Sequence, residues 1–261
     1  MLFGRVLITG AAGRIGSCLR AGLHGELDEL RLTDSRTIGD LTAGETYVQA
    51  DLDDRSALRR AMEGVEAVIH LGGVADEAAF EELARPNIHG TFNVFDAARR
   101  AGTSRVVYAS SNRITGFYPV SQRLSGDDPP RPDGLYAATK AWGEALGRLY
   151  ADKFGLEVIC LRIGSFESEP SEPRHLETWL SHGDAVRLFR ACLTAPAVGF
   201  LTVYGASANS RSFWDIRDAR ERLGYVPEDD AEHWAERVGR DETTRQRQGD
   251  PFTAPDYGGW A

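Results

Sequence analysis

Cysteine is scarce in this chain: of its 261 residues only Cys18, Cys160 and Cys192 are cysteines. Three widely separated cysteines are too few for a disulfide framework or a zinc site. No two of the six histidines lie three or four residues apart, the spacing at which one helix face presents both to a metal ion. The sequence therefore predicts no metal site and no cross-linked scaffold.

Basic clusters and long apolar runs are also missing. Acidic residues outnumber basic ones by 39 to 30, which gives a formal net charge of −9 that no block of Lys and Arg offsets. Because a polyanion needs a clustered basic surface, a nucleic acid partner is excluded. No apolar run reaches the roughly 18 residues of a membrane span, and the N-terminus lacks the pattern of a signal peptide. We expect a cytoplasmic protein with neither nucleic acid nor membrane as a partner.

Short apolar runs alternate with helical segments along most of the chain. Strands that are apolar nearly throughout are typical of a parallel sheet covered on both faces. The pattern predicts one domain over residues 1–261, a Rossmann-type α/β fold with a doubly wound parallel sheet and a small C-terminal substrate-binding region. The predicted strands are 5–9, 30–33, 46–50, 66–70, 105–109, 157–162 and 200–204. The predicted helices are 14–23, 55–62, 77–101 with an interruption at Pro86, 136–154 and 184–193.

Three segments break this alternation. Residues 115–134 and 165–180 are rich in proline, glycine and acidic residues and are predicted to be loops. Residues 240–261 form a polar tail, which is either loose or docked through Trp260. We expect the substrate region to come mainly from residues 163–198 and 205–239.

A glycine-rich loop directly follows the first predicted strand and opens the first helix. Gly10, Gly13 and Gly16 give the spacing GxxGxxG, with Arg14 and Ile15 at the start of the helix. Glycine lets the chain turn tightly and lets a pyrophosphate approach backbone amides, while the helix N-terminus favours its negative charge. This strand–loop–helix context predicts dinucleotide binding.

Acidic residues end the next two predicted strands. Asp34 stands 18 residues after Gly16, where a carboxylate accepts both ribose hydroxyls of an adenosine and repels a 2′-phosphate, so NAD is favoured over NADP. Arg36 and Arg14 favour NADP instead, since an arginine near this pocket can bind a phosphate. Asp51 and Leu52 are placed to hold the adenine edge, although an aspartate before a helix is also a common cap.

Tyr136 and Lys140 lie one turn apart on one face of a predicted helix. Such a pair is common on helices, but here it follows a strand that ends in Ser110 and Ser111, at the sheet edge where Rossmann-type ligands bind. A phenol has an ordinary pKa near 10, and a nearby ammonium is expected to lower it. We therefore predict that Tyr136 is a general base, supported by Lys140, and that Ser111 holds the oxygen of a carbinol.

In the order and spacing of these motifs the chain resembles the extended short-chain dehydrogenase/reductases over nearly its whole length, and within them the uronate dehydrogenases. Both halves of the chain carry the resemblance. The segments are Gly10–Gly16, Asp34, Asp51–Leu52, His70–Gly73, Asn87–Gly90, Ser110–Asn112, Gly116–Pro119, Arg131–Tyr136, Lys140, Arg162–Ser165, Thr178–Ser181 and Tyr204–Asn209.

The resemblance implies NAD-dependent oxidation of a hexuronic acid, glucuronate or galacturonate, at the anomeric carbon to give an aldarolactone. Tyr136 would be the base, Lys140 its partner and a ribose ligand, and Ser111 the carbinol anchor. The remaining cofactor contacts would be the glycine loop with Arg14 and Ile15, then Asp34, Asp51, Leu52, Leu71, Gly72, Gly73 and Asn87. The remaining substrate contacts would be Ala75, Asn112, Arg113, Ser165 and Arg174, the last binding the uronate carboxylate.

Two positions depart from the uronate dehydrogenase pattern. Val74 and Ala75 stand where a serine is usual, and Arg113 stands where a histidine is usual. Arg113 either favours a more anionic substrate, such as a sugar phosphate, or is a solvated loop residue. Arg174 likewise either binds the substrate or pairs with Glu172 or Glu177.

Other functions are compatible with the same motifs. The alternatives are an NAD-dependent aldose or sugar-phosphate dehydrogenase, a sugar epimerase that retains its cofactor, and a non-catalytic dinucleotide sensor on the same fold. A homo-oligomer is also open, through pairing of helix 136–154 with the long helix before it, although core packing explains the same apolar residues.

Overall fold

Seven parallel strands form the central sheet of the computed structural model, which describes residues 3–239 and 245–258. The spatial order of the strands is β3-β2-β1-β4-β5-β6-β9, and every neighbouring pair is parallel. A further parallel pair, β7 and β8, lies outside this sheet. The doubly wound α/β prediction is therefore confirmed. The strands are β1 (Arg5–Thr9), β2 (Glu29–Thr33), β3 (Glu45–Tyr47), β4 (Ala67–His70), β5 (Arg105–Ser111), β6 (Glu157–Ile163), β7 (Ser165–Phe166), β8 (Trp179–Leu180) and β9 (Phe200–Gly205).

Helices cover both faces of the sheet. The apolar residues of α1, α7 and α8 pack in one buried cluster, and those of α2, α4 and α5 pack in another on the opposite side. Burial on both faces explains why the strands read as continuous apolar runs. The helices are α1 (Arg14–Gly22), α2 (Arg55–Met62), α3 (Phe80–Leu83), α4 (Thr91–Ala101), α5 (Leu135–Phe154), α6 (His175–Thr178), α7 (His182–Thr194), α8 (Arg217–Leu223) and α9 (Ala235–Val238).

The strand order reverses direction at β1. From β1 the chain passes outward to β2 and β3, and then crosses back to place β4 on the other side of β1. Connections that leave neighbouring strands in opposite directions open a crevice at the carboxyl end of the sheet. The loops after β1, β4 and β5 meet at this crevice.

The long helix predicted over residues 77–101 is replaced by three helical pieces. Between α3 and α4 the backbone adopts a π-helical turn over Ala84–Gly90, which contains Pro86. Proline has no N–H for the helical ladder, and the wider turn absorbs that loss without ending the helix. The interruption at Pro86 is confirmed, and it takes the form of a change in hydrogen-bonding register.

Some predicted boundaries are wrong. The third strand ends at Tyr47, although the amides of Val48 and Ala50 still donate to Leu32 and Asp34. Helix α7 begins two residues earlier than predicted, because the Ser181 hydroxyl caps it by accepting from the Asp184 amide at 2.9 Å.

The segment 165–180 was predicted to be a loop, and the structure corrects this. It contains β7, α6 and β8, and the two strands pair Ser165 with Trp179 and Phe166 with Leu180. The short helices α8 and α9 were not predicted. No helix within residues 3–239 and 245–258 combines the length and apolar character of a membrane span.

Candidate active site

A cleft of about 920 Å³ lies at the carboxyl ends of β1, β4 and β5. It brings together nearly all of the site residues predicted from the sequence, with Asn87 as the exception. The predicted residues in its wall are Gly10, Gly13, Arg14, Ile15, Gly16, Asp34, Asp51, Leu52, Leu71, Gly72, Gly73, Ala75, Ser111, Asn112, Arg113, Tyr136, Lys140, Ser165 and Arg174.

The glycine loop is packed too tightly to accept side chains. Gly10 has a φ of +70°, and a Cβ there would lie 2.7 Å from the amide nitrogen of Gly72. A Cβ at Gly16 would lie 2.6 Å from the carbonyl oxygen of Gly10. The loop therefore lies against the turn after β4, and its backbone amides and the N-terminus of α1 form the wall of the cleft.

Asp34 is held in place at the end of β2. One carboxylate oxygen accepts the amide of Ala12 at 3.0 Å, and the other accepts the amide of Arg36 at 2.9 Å. The Arg36 Nε lies 3.3 Å from the same carboxylate. This arrangement fixes a carboxylate at the cleft wall, next to the glycine loop.

Asn87 lies behind the cleft and not in its wall. Its side-chain oxygen accepts the amide of Val74 at 2.8 Å, and its side-chain nitrogen donates to the carbonyl of Val74 at 3.1 Å and to the Thr139 hydroxyl at 3.0 Å. With its amide groups engaged in this way, direct contact with a cofactor is not supported. Asn87 instead ties the loop after β4 to helix α5.

Ser111, Tyr136 and Lys140 converge where β5 meets the first turns of α5. All three side chains are largely buried, and the ammonium of Lys140 donates to the carbonyl of Ala109 at 2.9 Å. Burial lowers the pKa of Lys140 to about 8. The Ser111 hydroxyl accepts the amide of Arg113 at 3.2 Å, and its proximity to the Tyr136 phenol favours the ionised form of the phenol.

The expected effect of Lys140 on Tyr136 is not what the structure shows. Burial raises the pKa of the Tyr136 phenol, and the hydrogen bond from Ser111 and the charge of Arg113 partly oppose this rise. The Lys140 ammonium lies 5.8 Å from the centre of the Tyr136 ring. Burial therefore outweighs the groups that favour the phenolate, among which are Ser111 and Arg113.

Arg174 lies in the cleft wall, directly before helix α6. Its guanidinium lies 4.8 Å from the centre of the Phe252 ring and 3.6 Å from the Glu172 carboxylate, while Glu177 pairs with Arg245 instead. Among the described residues its Nε has no hydrogen-bond partner. Burial lowers the pKa of Arg174, so this arginine is a poorly compensated cation beside the cleft.

Arg113 is not a solvated loop residue, since only 5% of it is exposed. Its guanidinium forms ion pairs with Asp76, Glu77 and Asp133. Its aromatic neighbours include Phe252, whose ring centre lies 4.3 Å away.

The cleft contains residues that sequence reasoning missed. Phe252 lines it from the predicted polar tail, and Asp76 lines it from the loop after β4, whereas residues 205–239 contribute nothing to its wall. The three aromatic residues of this tail, Phe252, Tyr257 and Trp260, follow no periodicity that predicts which of them reaches the cleft. Within the described residues no cluster of His, Cys, Asp and Glu fits a metal ion, and Trp260 lies outside the described part of the chain.

Arg14 has an unexpected partner. Its guanidinium donates to the carbonyl of Phe166 at 2.7 Å and pairs with Glu167 at 2.5 Å. It therefore links the glycine loop to β7 on the other side of the cleft.

Known proteins match this chain over most of its length. The sequence model of the NAD dependent epimerase/dehydratase family matches residues 6–232. The uronate dehydrogenase of Pseudomonas putida is 44% identical over 231 residues, which cover 88% of this chain and 86% of that protein. The NAD-dependent glucose-6-phosphate dehydrogenase of Haloferax volcanii is 38% identical and covers 87% of this chain and 94% of that protein.

A solved structure agrees with the fold throughout. The crystal structure of uronate dehydrogenase from Agrobacterium tumefaciens is 40% identical, with a TM-score of 0.92, and the match covers 97% of each chain. The sheet, the glycine loop and the C-terminal region therefore follow one shared architecture.

Proposed function

This chain belongs to the NAD dependent epimerase/dehydratase family, and we propose that it oxidises a hexuronic acid at the anomeric carbon to an aldarolactone, with NAD as the hydride acceptor. One C–H bond and one O–H bond of the substrate are broken, and the products are the lactone, NADH and a proton. The uronate dehydrogenases of Pseudomonas putida and Agrobacterium tumefaciens support this proposal through their similarity over most of the chain.

The cleft fits NAD at its glycine-rich end. A side chain at Gly10 or Gly16 would collide with backbone atoms, so the loop leaves its amides free for a pyrophosphate. The Asp34 carboxylate would accept the adenosine ribose hydroxyls, and Asp51 and Leu52 would border the adenine. NAD, when bound, accepts the hydride from the anomeric carbon.

The proton of the anomeric hydroxyl leaves through Tyr136. Ser111 holds the substrate oxygen against the phenol, and Tyr136 takes the proton as the general base. Because burial raises the pKa of Tyr136, the charge of Arg113 and the Ser111 hydrogen bond are needed to make the phenolate accessible. Lys140 keeps a positive charge beside the same turn.

Arg174 is the observation that points to a sugar acid. This largely buried arginine has an Nε without a hydrogen-bond partner among the described residues, and its nearest carboxylate lies 3.6 Å away. We call the part of the cleft lined by Asn112, Ser165 and Arg174 its sugar end. A planar guanidinium matches a planar carboxylate in two hydrogen bonds. Ser165 and Asn112 line the cleft beside it and would contact the sugar hydroxyls.

The proposal is tested by incubating the purified protein with NAD and either glucuronate or galacturonate and following NADH absorbance. We expect turnover with at least one acid, and loss of turnover in Tyr136→Phe. Replacement of Arg174 by methionine should raise the KM for the uronate by about 10- to 100-fold, as expected for a lost charged hydrogen bond. Absence of NADH with both acids, together with turnover of glucose 6-phosphate or of a neutral aldose, would replace this proposal with the corresponding dehydrogenase.

A further inference from the structure

Arg113 lies at the centre of an ion-pair cluster beside the sugar end of the cleft. It belongs to the short 3₁₀ turn Asn112–Thr115, directly after β5. Its Nε donates to Asp133 at 2.9 Å, one terminal nitrogen donates to Asp76 at 2.8 Å, and the other donates to Glu77 at 3.3 Å. One guanidinium is thus shared among three carboxylates.

The Glu77 carboxylate caps the start of helix α5, and Asp133 lies directly before that start. Gly134 precedes the helix and offers no side-chain cap. Glu77 takes that role from a distant part of the chain, since its carboxylate accepts the amides of Leu135 at 2.8 Å and of Tyr136 at 3.2 Å. Asp133 lies one residue before Gly134, and its amide donates to the carbonyl of Arg113 at 3.2 Å. Through these bonds Arg113 is tied to the helical turn that holds Tyr136.

The faces of the Arg113 guanidinium are covered by aromatic rings. The ring centre of Tyr136 lies 5.4 Å away, and those of Phe252 and Tyr257 lie 4.3 Å and 5.3 Å away. The Tyr257 hydroxyl also lies 3.3 Å from Asp76. Arg113 therefore lies between the proposed base and the C-terminal segment 245–258.

We propose that Arg113 is a positioning residue, which fixes Tyr136 at the first turn of α5 and docks residues 245–258 over the sugar end of the cleft, and that it is not a ligand for a second anionic group of the substrate. This inference rests on the proposed function in one respect, the assignment of Tyr136 as the base. It argues against the alternative that Arg113 favours a more anionic substrate, such as a sugar phosphate.

Charge balance supports this assignment. Burial raises the pKa of Asp133 to about 6, so at pH 7 this carboxylate is still largely ionised. One cation against three anions leaves the cluster negative. A phosphate dianion beside Arg113 would meet these three carboxylates, whereas a single carboxylate bound at Arg174 would meet that of Glu172, which lies 3.6 Å from the guanidinium. The chemical class that fits is a sugar with one negative charge.

Several charged or titratable groups face the Tyr136 phenol or its turn, and each contributes to the pH behaviour. They are Arg113 on the 3₁₀ turn, Asp76 and Glu77 after β4, Asp133 before α5, Lys140 on α5, and Tyr108 on β5. Of these, Arg113 lowers the pKa of Tyr136, while Asp76 and Asp133 raise it. Removing the Arg113 charge should therefore make the phenol harder to ionise.

The first test needs no substrate and follows hydrogen–deuterium exchange in the full-length protein. In Arg113→Met we expect faster exchange both in residues 245–258 and in the first turn of α5. Arg247→Met is the matched control, because Arg247 donates to the carbonyl of Phe117 from the same segment and does not contact Tyr136. It should loosen the segment alone. Unchanged exchange in Arg113→Met would overturn the positioning role.

The second test compares the pH profiles of kcat and kcat/KM. For Arg113→Met we expect kcat at pH 7 to fall by at least about tenfold, with little change in KM for the uronate. The acidic limb of the pH profile should shift to higher pH, because the phenol of Tyr136 is harder to ionise. Arg113→Lys keeps the positive charge but lacks the planar guanidinium, so its acidic limb should lie at the same pH as that of the wild type. The acidic limb of Arg247→Met should also be unchanged. If Arg113→Met shows a large increase in KM while kcat and the position of the acidic limb stay unchanged, Arg113 is a substrate ligand and the proposal is overturned.

The third test measures binding of glucose 6-phosphate and glucuronate to the protein with NADH, by calorimetry. We expect glucuronate to bind at least about tenfold more tightly, and Asp76→Asn to narrow that ratio by removing one like charge. If glucose 6-phosphate binds more tightly than glucuronate, and this binding is lost in Arg113→Met, the assignment is overturned. Failure of the wild type to oxidise either uronate would count against the proposed function alone, because the exchange experiment judges the positioning role without turnover.

Discussion

The ammonium of Lys140 donates a 2.9 Å hydrogen bond to the carbonyl oxygen of Ala109. It is one of three contacts that repeat along a single face of α5. Glu144, one turn further along, accepts the Ser110 hydroxyl at 2.6 Å, and Ser111 favours the ionised form of Tyr136, one turn earlier. Residues 109–111 of β5 thus interact with three residues on one face of α5, which fixes the start of the helix against the strand end.

Replacement of Lys140 by methionine should separate activity from stability. We expect kcat/KM at pH 7 to fall by about 100-fold, because the charged hydrogen bond that Lys140 is proposed to make with the cofactor ribose is lost. The unfolding free energy at pH 7 should not fall, since burial already disfavours the ammonium and methionine has a similar volume. The folded pKa of about 8 lies below the ordinary 10.5, so the unfolded chain binds more protons in that window. As pH increases from about 8 to 10.5, the unfolding free energy of the wild type should therefore rise relative to that of Lys140→Met, as measured by urea unfolding.

Glu144 and Arg162 form a buried pair behind the active site, with N–O distances of 2.9 and 3.0 Å. Substitution of Glu144 by glutamine should destabilise the fold by about 3 kcal/mol, because it leaves the buried guanidinium without a countercharge. Denaturant unfolding measures this loss. The double variant Glu144→Gln with Arg162→Met should recover much of it, and a double variant no more stable than the single one would show that the charge is not the cause.

Asp34 should determine the choice between NAD and NADP. In Asp34→Ser we expect kcat/KM for NAD to fall by about 10- to 100-fold, the effect of a lost charged hydrogen bond to the ribose. Use of NADP should increase, because the repulsive carboxylate is gone and Arg36 is released from its pairing with Asp34. Asp51→Asn is the control, since it should weaken NAD without improving NADP. Steady-state kinetics with both cofactors distinguish these outcomes.

His70 should make the fold sensitive to acid. It is buried between the hydroxyls of Thr9 and Thr91, and burial lowers its pKa to about 3 from the ordinary 6.5. Between these values the unfolded chain binds a proton that the folded chain does not, so stability falls as pH decreases. From pH 7 to pH 5 this amounts to about 2 kcal/mol. In His70→Gln the loss of unfolding free energy between pH 7 and pH 5 should be smaller by that amount. An identical pH dependence in both proteins would contradict the role of His70 in acid sensitivity.

The cofactor end of the cleft could be predicted from the sequence because its elements are local. Gly10, Gly13 and Gly16 lie on one turn, and Asp34 marks the end of the next strand, so the order of elements alone places them together. The pair Tyr136 and Lys140 was located in the same way, by helical spacing and by the preceding strand.

The sugar end could not be predicted to the same extent, because its contacts join distant parts of the chain. Arg113 meets Asp76 and Phe252, which lie 37 residues before it and well over a hundred residues after it. Sequence periodicity does not predict contacts between such distant residues. It also does not predict that burial raises the pKa of Tyr136. The charge state of the site depends on three-dimensional packing that short sequence patterns do not encode.

The cleft is divided between two stretches of chain. The proposed cofactor contacts all lie within residues 10–140, whereas the sugar end draws on Arg174 and on Phe252, near the C-terminus. A change of substrate preference could therefore arise in the last hundred residues while the dinucleotide half is left intact. For protein engineering, residues 165–180 and Phe252 are therefore the places at which to alter substrate preference, whereas α7, α8 and β9 have to be kept because they complete the sheet and its core.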